Sequence, residues 1–415
     1  MGEDSIALAT QGYGWLPNRR RRRGDTFRTR LGGLPVVALC GPDAGPFFYD
    51  ERTVRRHGAI PEPLRSTLFG HGAVHTLDGT AHRVRKAMFL SVLRPDAVDA
   101  LVDRVTDAWD AAAARWPRQR TVVLFDEAAR VITRGVGGWA GVPVTDGLAS
   151  DLVLLVDGFA TAAPRHWRAR LARRRLEARL SDLVEAVRAG TATAPDGSAL
   201  HAVSHHRDAD GSALPARVAA VELLNVIRPT VAVAWFVSFT AHALHRWPEH
   251  RTRLASGDPA FVTAFVHEVR RFYPFAPFIG GKAVRDTSFD GVPVRAGDTV
   301  LLDLNGHDHD PRVFPDPYAF RPERFTGRLP RPFELIAQGA GDPAAGHRCP
   351  GEGVTVALLR VLATRLARLS YRVPRQDLAI PLGRIPTLPR SRMVLSHVRA
   401  PDRAGATRGT DSTVR

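Results

Sequence analysis

A mostly helical single domain with a small β component in its C-terminal third is the fold class this sequence predicts. Apolar residues recur at helical spacing through the first two thirds of the 415 residues. Short β-like runs bounded by turn residues gather after residue 275. No glycine-rich strand-turn-helix of the dinucleotide or phosphate type occurs, which weakens hydride-transfer and kinase readings. At 44% hydrophobic, a chain this long can bury a large core.

Residues 1–24 mix Gly, Pro and Arg and are expected to form a disordered basic arm; 25–399 are expected to fold as one domain, and 400–415, polar and aperiodic, to be a disordered tail. Helical periodicity predicts helices over Thr80–Val92, Asp96–Ala114, Phe125–Val136, Ala149–Ala162, His166–Arg188 and Ala216–Arg246. A further helix is expected over Pro259–Phe272. Strands follow at Phe278–Ala283 and Thr299–Leu302, with turns at Asp290-Gly291 and Ala296-Gly297-Asp298. Pro350 then opens a last helix running to about Arg368.

The net charge of +16 invites a nucleic-acid reading, but all of the 58 basic residues except Lys86 and Lys282 are scattered arginines. The dense runs, Arg19–Arg23 and Arg168–Arg175, fall in the N-terminal arm and on a helix whose other face is read as Leu171, Leu176 and Leu180. Both are expected to be solvated charge, with no nucleic-acid partner. Cys40 and Cys349 are too few for a disulfide framework, so a reducing cytoplasm is the expected location. The most apolar stretch, Val218–Leu244, is interrupted by Glu222, Asn225, Arg228 and Pro229, and no membrane span is expected.

The strongest local signal for chemistry is QGAGDPAAGHRCPGE, Gln338–Glu352, where a glycine-rich loop delivers Cys349 to the positive end of a helix. Backbone N–H groups aimed at sulfur suit a tuned, metal-bound thiolate; the alternatives are a buried cysteine and a hydrolase-style nucleophile. A second signal is Glu268-Val269-Arg270-Arg271. Its spacing recurs at Glu62/Arg65, Glu127/Arg130 and Glu185/Arg188, which read as surface ion pairs. Only Glu268/Arg271 is followed by Tyr273-Pro274, then Phe320-Arg321-Pro322-Glu323-Arg324-Phe325, then the cysteine loop.

The third signal lies in the long helix, where Asn225-Val226-Ile227-Arg228-Pro229-Thr230 puts a guanidinium on an apolar face just before a kinking proline. No carboxylate sits within one turn, and Glu222, six residues earlier, points elsewhere on a 3.6-residue repeat. A buried arginine needs either an acidic neighbour from another element or an anionic ligand, whose carboxylate it would hold as a bidentate fork.

GHRCPGE resembles the heme-binding loop of the cytochrome P-450 superfamily, and the order of motifs above resembles it too. The resemblance implies that fold, with heme b (iron protoporphyrin IX) between the long central helix and the cysteine loop. Cys349 would be the axial metal ligand, and Glu268, Arg271 and Arg324 a buried structural network. Two departures stand out. Asp342 replaces the usual Phe seven residues before the cysteine, and the acid that normally precedes Thr in the long helix is missing.

Arg228-Pro229 together with the G-x-G-D…GHRCPGE loop resembles the fatty acid peroxygenase family within that superfamily, over about Thr26 to Arg399. The resemblance implies hydrogen peroxide as oxidant and long-chain fatty acids as substrates, oxidised at the α or β carbon or decarboxylated to terminal alkenes. Arg228 would clamp the substrate carboxylate, which then stands in for the missing acid. The segment Phe69–Gly79 resembles that family's distal pocket, and Phe69, His75 and Arg228 match the trio of its decarboxylating members. His75 would exchange a proton near the β carbon, or else merely hydrogen-bond in its loop. His82, Arg85 and Lys86 on one helix, with His347, are expected to clasp the heme propionates, or to form a solvated basic face. Phe275, Pro277 and Phe278 would line the channel or fill core. Two alternatives differ in class: a ferredoxin- and reductase-dependent monooxygenase acting on another anionic lipid or polyketide, and a non-catalytic heme sensor or fatty-acid binder.

Overall fold

The computed structural model describes residues 2–159 and 164–400. Its helices surround one dominant apolar cluster that centres on two consecutive helices, Ala216–Val231 and Val233–Arg246. Leu223, Leu224, Trp235 and Phe239 on these helices have no exposed surface. The sequence predicts a single helix over Ala216–Arg246; the structure breaks it at Ala232. Pro229 has no N–H to donate to the carbonyl of Asn225, and its ring crowds that carbonyl, so the ladder is weakened one turn before the break. The 31-residue stretch is apolar and long enough to cross a membrane by composition, but its apolar 18-residue window is 94% buried within the protein, and no other helix among the described residues passes that test.

The small sheets lie to one side. Strands β1 (Thr26–Leu31), β2 (Leu34–Leu39), β3 (Val54–Arg55), β4 (Phe278–Ala283) and β5 (Thr299–Asp303) form one sheet in the order β1-β2-β5-β4-β3, antiparallel except for β2 against β5. One face packs Phe48 of the helix Ala44–Tyr49, with Ile336 and Ala340 from the segment leading into the cysteine loop. The other packs Trp15, Leu16 and Phe27.

Those last contacts correct the expectation of a disordered arm over 1–24. Residues Ser5–Gln11 and Trp15–Arg23 are helical, Tyr13, Trp15 and Leu16 are buried, and two of the arginines have carboxylate partners, Arg19 with Asp4 and Arg20 with Asp310. The indole of Trp15 meets Phe278 edge-on at 5.8 Å, enough apolar contact to hold the arm. The expected tail lies outside the described residues beyond Ala400. The helix expected over Ala149–Ala162 runs from Leu148 to Asp157, and positions 160–162 lie outside the described residues.

On the Pro164–Arg188 helix the expected faces are also corrected. Ala169, Ala172, Leu176, Leu180 and Val184 are buried, whereas Leu171 is exposed and Arg173 is buried. Leu171 lies about 140° from Leu176 around a 3.6-residue helix and so falls on the outer face.

Candidate active site

Two segments far apart in sequence come within electrostatic reach of one another, the Cys349 thiol acting on Arg228 and the His347 ring on His75. One is the loop Phe69–His75, stitched onto the helix Ala216–Val231; the other is the cysteine loop before the helix Glu352–Arg368.

The stitching uses three residues of the central helix. Asn225 Nδ2 donates to Phe69 O at 3.0 Å and to Glu222 Oε2 at 3.1 Å, while its Oδ1 accepts from Arg228 Nη2 at 3.3 Å. Glu222 Oε1 accepts from Val74 N and from Arg85 Nη1, each at 2.7 Å. Both ends of the 69–75 loop are thus tied to one helix face, and the Phe69 ring packs on the His75 ring at 4.7 Å. Glycine at position 70 is required here: its φ is +88°, and an added Cβ would lie 2.2 Å from Arg173 Nη2 and 2.5 Å from Val221.

This geometry adds to one expectation and overturns another. Glu222 does point away from Arg228, but Asn225, three residues from each, bridges them. Arg85 is not free to hold a propionate. Its guanidinium is taken by Glu222 and Asp208, and it also donates to Gly72 O at 3.2 Å, because this face of its helix turns toward the central helix.

Arg228 itself is buried, and its Nε has no partner. Burial and the nearby guanidinium of Arg173 lower its pKa to about 9, with the Cys349 thiol acting in the opposite direction. His75 is half-buried, with its Nδ1 buried and unpartnered, and burial followed by the charge of Arg228 lowers its pKa to about 3. It is therefore a neutral imidazole at neutral pH, a hydrogen-bonding group and only a weak base while Arg228 beside it has no counter-charge.

In the second segment, Cys349 N donates to Gln338 O at 3.2 Å, closing the cysteine loop. The helix that follows starts at Glu352, two residues later than expected from Pro350, with Gly351 as its N-cap. Burial raises the Cys349 thiol, and the backbone N–H of Gly351 works against that rise. The loop is pinned from behind: Arg270 Nε donates to Gln338 Oε1 at 3.0 Å, Gln338 Nε2 to Thr355 Oγ1 at 3.0 Å, and Arg270 and Arg348 both pair with Glu352. Further back, Arg271 forks onto Glu268 at 2.7 and 2.8 Å and donates to the carbonyls of Asp308 and Pro317. Arg324 Nε lies 3.6 Å from Glu268, and its two Nη groups donate to the carbonyls of Pro315 and Asp316. The three residues hold the 308–321 segment, and the Asp308 carboxylate in turn accepts from Ile336 N two residues before Gln338.

On the flank, the His82 and His347 rings stack at 3.9 Å, and Lys86 Nζ donates to the carbonyls of Gly346 and Arg348 in the cysteine loop. His82 Nδ1 is buried without a partner. Arg56, absent from the expected set, joins them. Its buried guanidinium rests 4.1 Å over the Phe48 ring with Nη1 unpartnered, and the backbone N–H of Arg56 donates to the Asp78 carboxylate, which lies 3.3 Å from His347 Nε2. Glu51, His82 and His347 are the one His/acid cluster with metal-ligand spacing among the described residues, and it falls on this same flank.

Phe275 and Phe278 part company. Phe275 packs on Trp235 and Phe236 of the central helices, and its carbonyl accepts from the buried Tyr13 hydroxyl. Phe278 faces Trp15 on the far side of the sheet and is core filler, because successive strand residues alternate faces. Pro277 contributes its carbonyl to the N–H groups of Leu304 and Asn305. A cavity of about 500 Å³ lined by Val153, Leu154, Asp157, Arg384 and Leu388 contains none of the residues above.

The residues fit a planar, dianionic heme. Cys349 would supply the thiolate ligand, its thiol close enough to Arg228 to act on that charge, and the buried Arg56 Nη1 and His82 Nδ1, left without partners, would meet the anionic groups. Asn225, Arg173 and Arg56 were not in the expected set. Asn225 had a signal, being three residues before Arg228 on the same face; Arg173 had one in its i,i+4 spacing to Glu177; Arg56 had none.

Comparison with known proteins agrees. The cytochrome P-450 family model matches residues 258–385. A variant of cytochrome P450SP alpha (CYP152B1) is 40% identical, with a TM-score of 0.93, over 96% of this chain and 99% of that one. Cytochrome P450EX alpha (CYP152N1), solved with myristic acid, is 36% identical with a TM-score of 0.92, over 96% and 97%. A variant of the OleT cytochrome P-450, in complex with arachidonic acid, is 35% identical with a TM-score of 0.93, over 96% and 97%. With a buried arginine within electrostatic reach of a cysteine just before a helix and this similarity over 96% of its length, the chain belongs to the fatty acid peroxygenase family of the cytochrome P-450 superfamily and is a heme-thiolate oxidoreductase whose cofactor is heme b.

Proposed function

We propose that this protein uses hydrogen peroxide to oxidise long-chain fatty acids next to their carboxyl end, giving 2- or 3-hydroxy acids, terminal alkenes or both. The observation that carries the reading is Arg228: a buried guanidinium whose only side-chain partner among the described residues is the neutral amide of Asn225, with Nε unpartnered, and close enough to Cys349 for the thiol to act on its charge. A substrate carboxylate satisfies that charge and is itself held by charge-assisted hydrogen bonds. The myristic and arachidonic acid bound in two similar structures support the substrate class.

Heme, when bound by Cys349, supplies a two-electron oxidation driven by peroxide. The chain's own residues supply position and proton handling. Arg228, oriented by Asn225, holds the carboxylate, so the α and β carbons lie nearest the reacting centre and geometry, rather than C–H bond strength, selects them. The clamped carboxylate, with no acid of the protein in its place, carries the proton. Pro229 keeps the helix open at this turn. The ring of Phe69 confines the first methylenes, and neutral His75 accepts a hydrogen bond or proton beside them. Hydroxylation consumes one peroxide and releases one water; decarboxylation consumes one peroxide and releases carbon dioxide and two waters.

The test is product analysis by gas chromatography and mass spectrometry, with heme-loaded protein, peroxide and a saturated fatty acid, alongside Arg228→Ala. Hydroxy acid or alkene formed by the native protein and lost in the variant is the expected result. Product that appears only with ferredoxin, its reductase and NAD(P)H would favour a monooxygenase, and no product under either oxidant would leave a binding protein.

A further inference from the structure

The outer face of the Pro164–Arg188 helix is not part of the site and is unusual for a solvated surface. Trp167 is 59% exposed and Leu171 54%, one helical turn apart, and the residues around them, Arg168, Arg174 and Arg175, are exposed arginines. The Arg170 guanidinium sits 5.3 Å from the Trp167 ring centre, its stem flanking the same patch. Only Arg175 has a carboxylate partner, Asp151; Arg168 and Arg174 have none among the described residues. The opposite face is anchored in the core by Ala169, Ala172, Leu176, Leu180 and the internal Arg173–Glu177 pair, so the helix presents this face rigidly. The patch continues past the helix start. Asp157 pairs with both Arg165 and Arg384, bringing the 381–385 loop alongside, and Leu382 on that loop is 51% exposed.

We propose that this face docks the protein on the surface of an anionic lipid bilayer. Two large apolar side chains, one of them an indole suited to the boundary between headgroups and acyl chains, would insert there. The unpaired arginines around them would meet lipid phosphates. A nucleic acid would use the same charges, but it would leave Leu171 without an apolar environment. The consequence for the proposed chemistry is direct, since a bilayer is where long-chain fatty acids partition; the docking itself is read without turnover and stands or falls separately.

The experiment is co-sedimentation of the full, heme-loaded protein with large vesicles of phosphatidylcholine alone or mixed with phosphatidylglycerol, at low and high salt. Binding is expected only to the phosphatidylglycerol vesicles and falls with salt. The double variant Trp167→Ser/Leu171→Ser should bind about tenfold more weakly, as should Arg168→Gln/Arg174→Gln, with unchanged heme content. Arg22→Gln/Arg30→Gln, exposed positions elsewhere with the same change in charge, should bind like the native protein. Equal loss in all charge variants with no effect of Trp167→Ser/Leu171→Ser would overturn the proposal, as would no binding to phosphatidylglycerol at low salt. Tighter binding to a DNA duplex, insensitive to Trp167→Ser/Leu171→Ser, would replace it with a nucleic-acid surface.

Discussion

Asn225 takes the backbone carbonyl of Phe69 with its amide nitrogen, at 3.0 Å, and the guanidinium of Arg228 with its amide oxygen, at 3.3 Å. One side chain therefore sets the distance between the residue that confines the substrate and the residue that holds it. Replacing Asn225 by Leu leaves the Phe69 carbonyl unpaired and lets the Arg228 fork rotate. A hydrogen bond to a charged group contributes roughly 1.5–3 kcal/mol, so fatty-acid affinity should fall by about tenfold or more, with heme content unchanged. Spectral titration of the heme with a saturated fatty acid measures this.

Arg173 acts on the same loop from the other side. Its Nη1 donates to Leu68 O at 2.8 Å and Thr67 O at 3.3 Å, while Nε holds Glu177 at 2.6 Å. Arg173→Gln should loosen Phe69, and Gly70→Ala should push on Arg173 Nη2 from the opposite direction. Both variants should change the ratio of alkene to hydroxy acid more than they change total turnover. Chromatography of the products decides it; an unchanged ratio in both would make Arg173 purely a packing residue.

The pH dependence of binding follows from Arg228. Its pKa is lowered to about 9, chiefly by burial, so the free protein carries the charge below that value and loses it as pH rises through it. The partner carboxylate is ionised above roughly pH 5. Fatty-acid affinity should be flat between about pH 6 and 8 and fall up to tenfold per unit above 9. Arg228→Lys should weaken binding across the whole range, because an ammonium lacks the planar fork.

Stability is most exposed at Glu268. Neither its side chain nor that of Arg271 has any accessible surface, and Glu268 also accepts from Arg321 N at 2.8 Å. Glu268→Ala leaves a buried guanidinium without its counter-charge, a loss of about 3–5 kcal/mol. The expected result is a markedly lower thermal midpoint and poor heme retention, whereas Glu268→Gln, which keeps an acceptor oxygen, should lose less. Thermal unfolding followed in the heme and peptide absorbance checks both.

Much of the site was legible in the chain. Cys349 in its glycine-rich loop, the Glu268/Arg271 pair ahead of Phe320–Phe325, and Arg228-Pro229 on an apolar helix are each short-range patterns. There the residue type and spacing already express the chemistry: a thiolate at a helix start, a fork on a carboxylate, a charge where none is tolerated without a ligand. Less legible were the uses of generic residues. Arg85 sits one residue before Lys86 on a basic helix, yet it braces Glu222, 137 positions away, while Lys86 turns to the cysteine loop. The basic arm looked like a mobile tail because its arginines hide the pattern; Trp15 and Leu16 hold it against the sheet.

By itself, then, the sequence determined the helical architecture, the thiolate, and the presence of a buried cation demanding a carboxylate, because each depends on residues within a turn or two of one another. Only the tertiary structure decided that Asn225 would join Phe69 to Arg228, that Glu222 and Arg85 would lock the loop, that Phe275 would face the core while Phe278 faced Trp15, and that Trp167 and Leu171 would stand outside. Those outcomes depend on which faces of distant elements meet. Burial and pairing energies across the whole fold select among them, and no local period or motif encodes that selection.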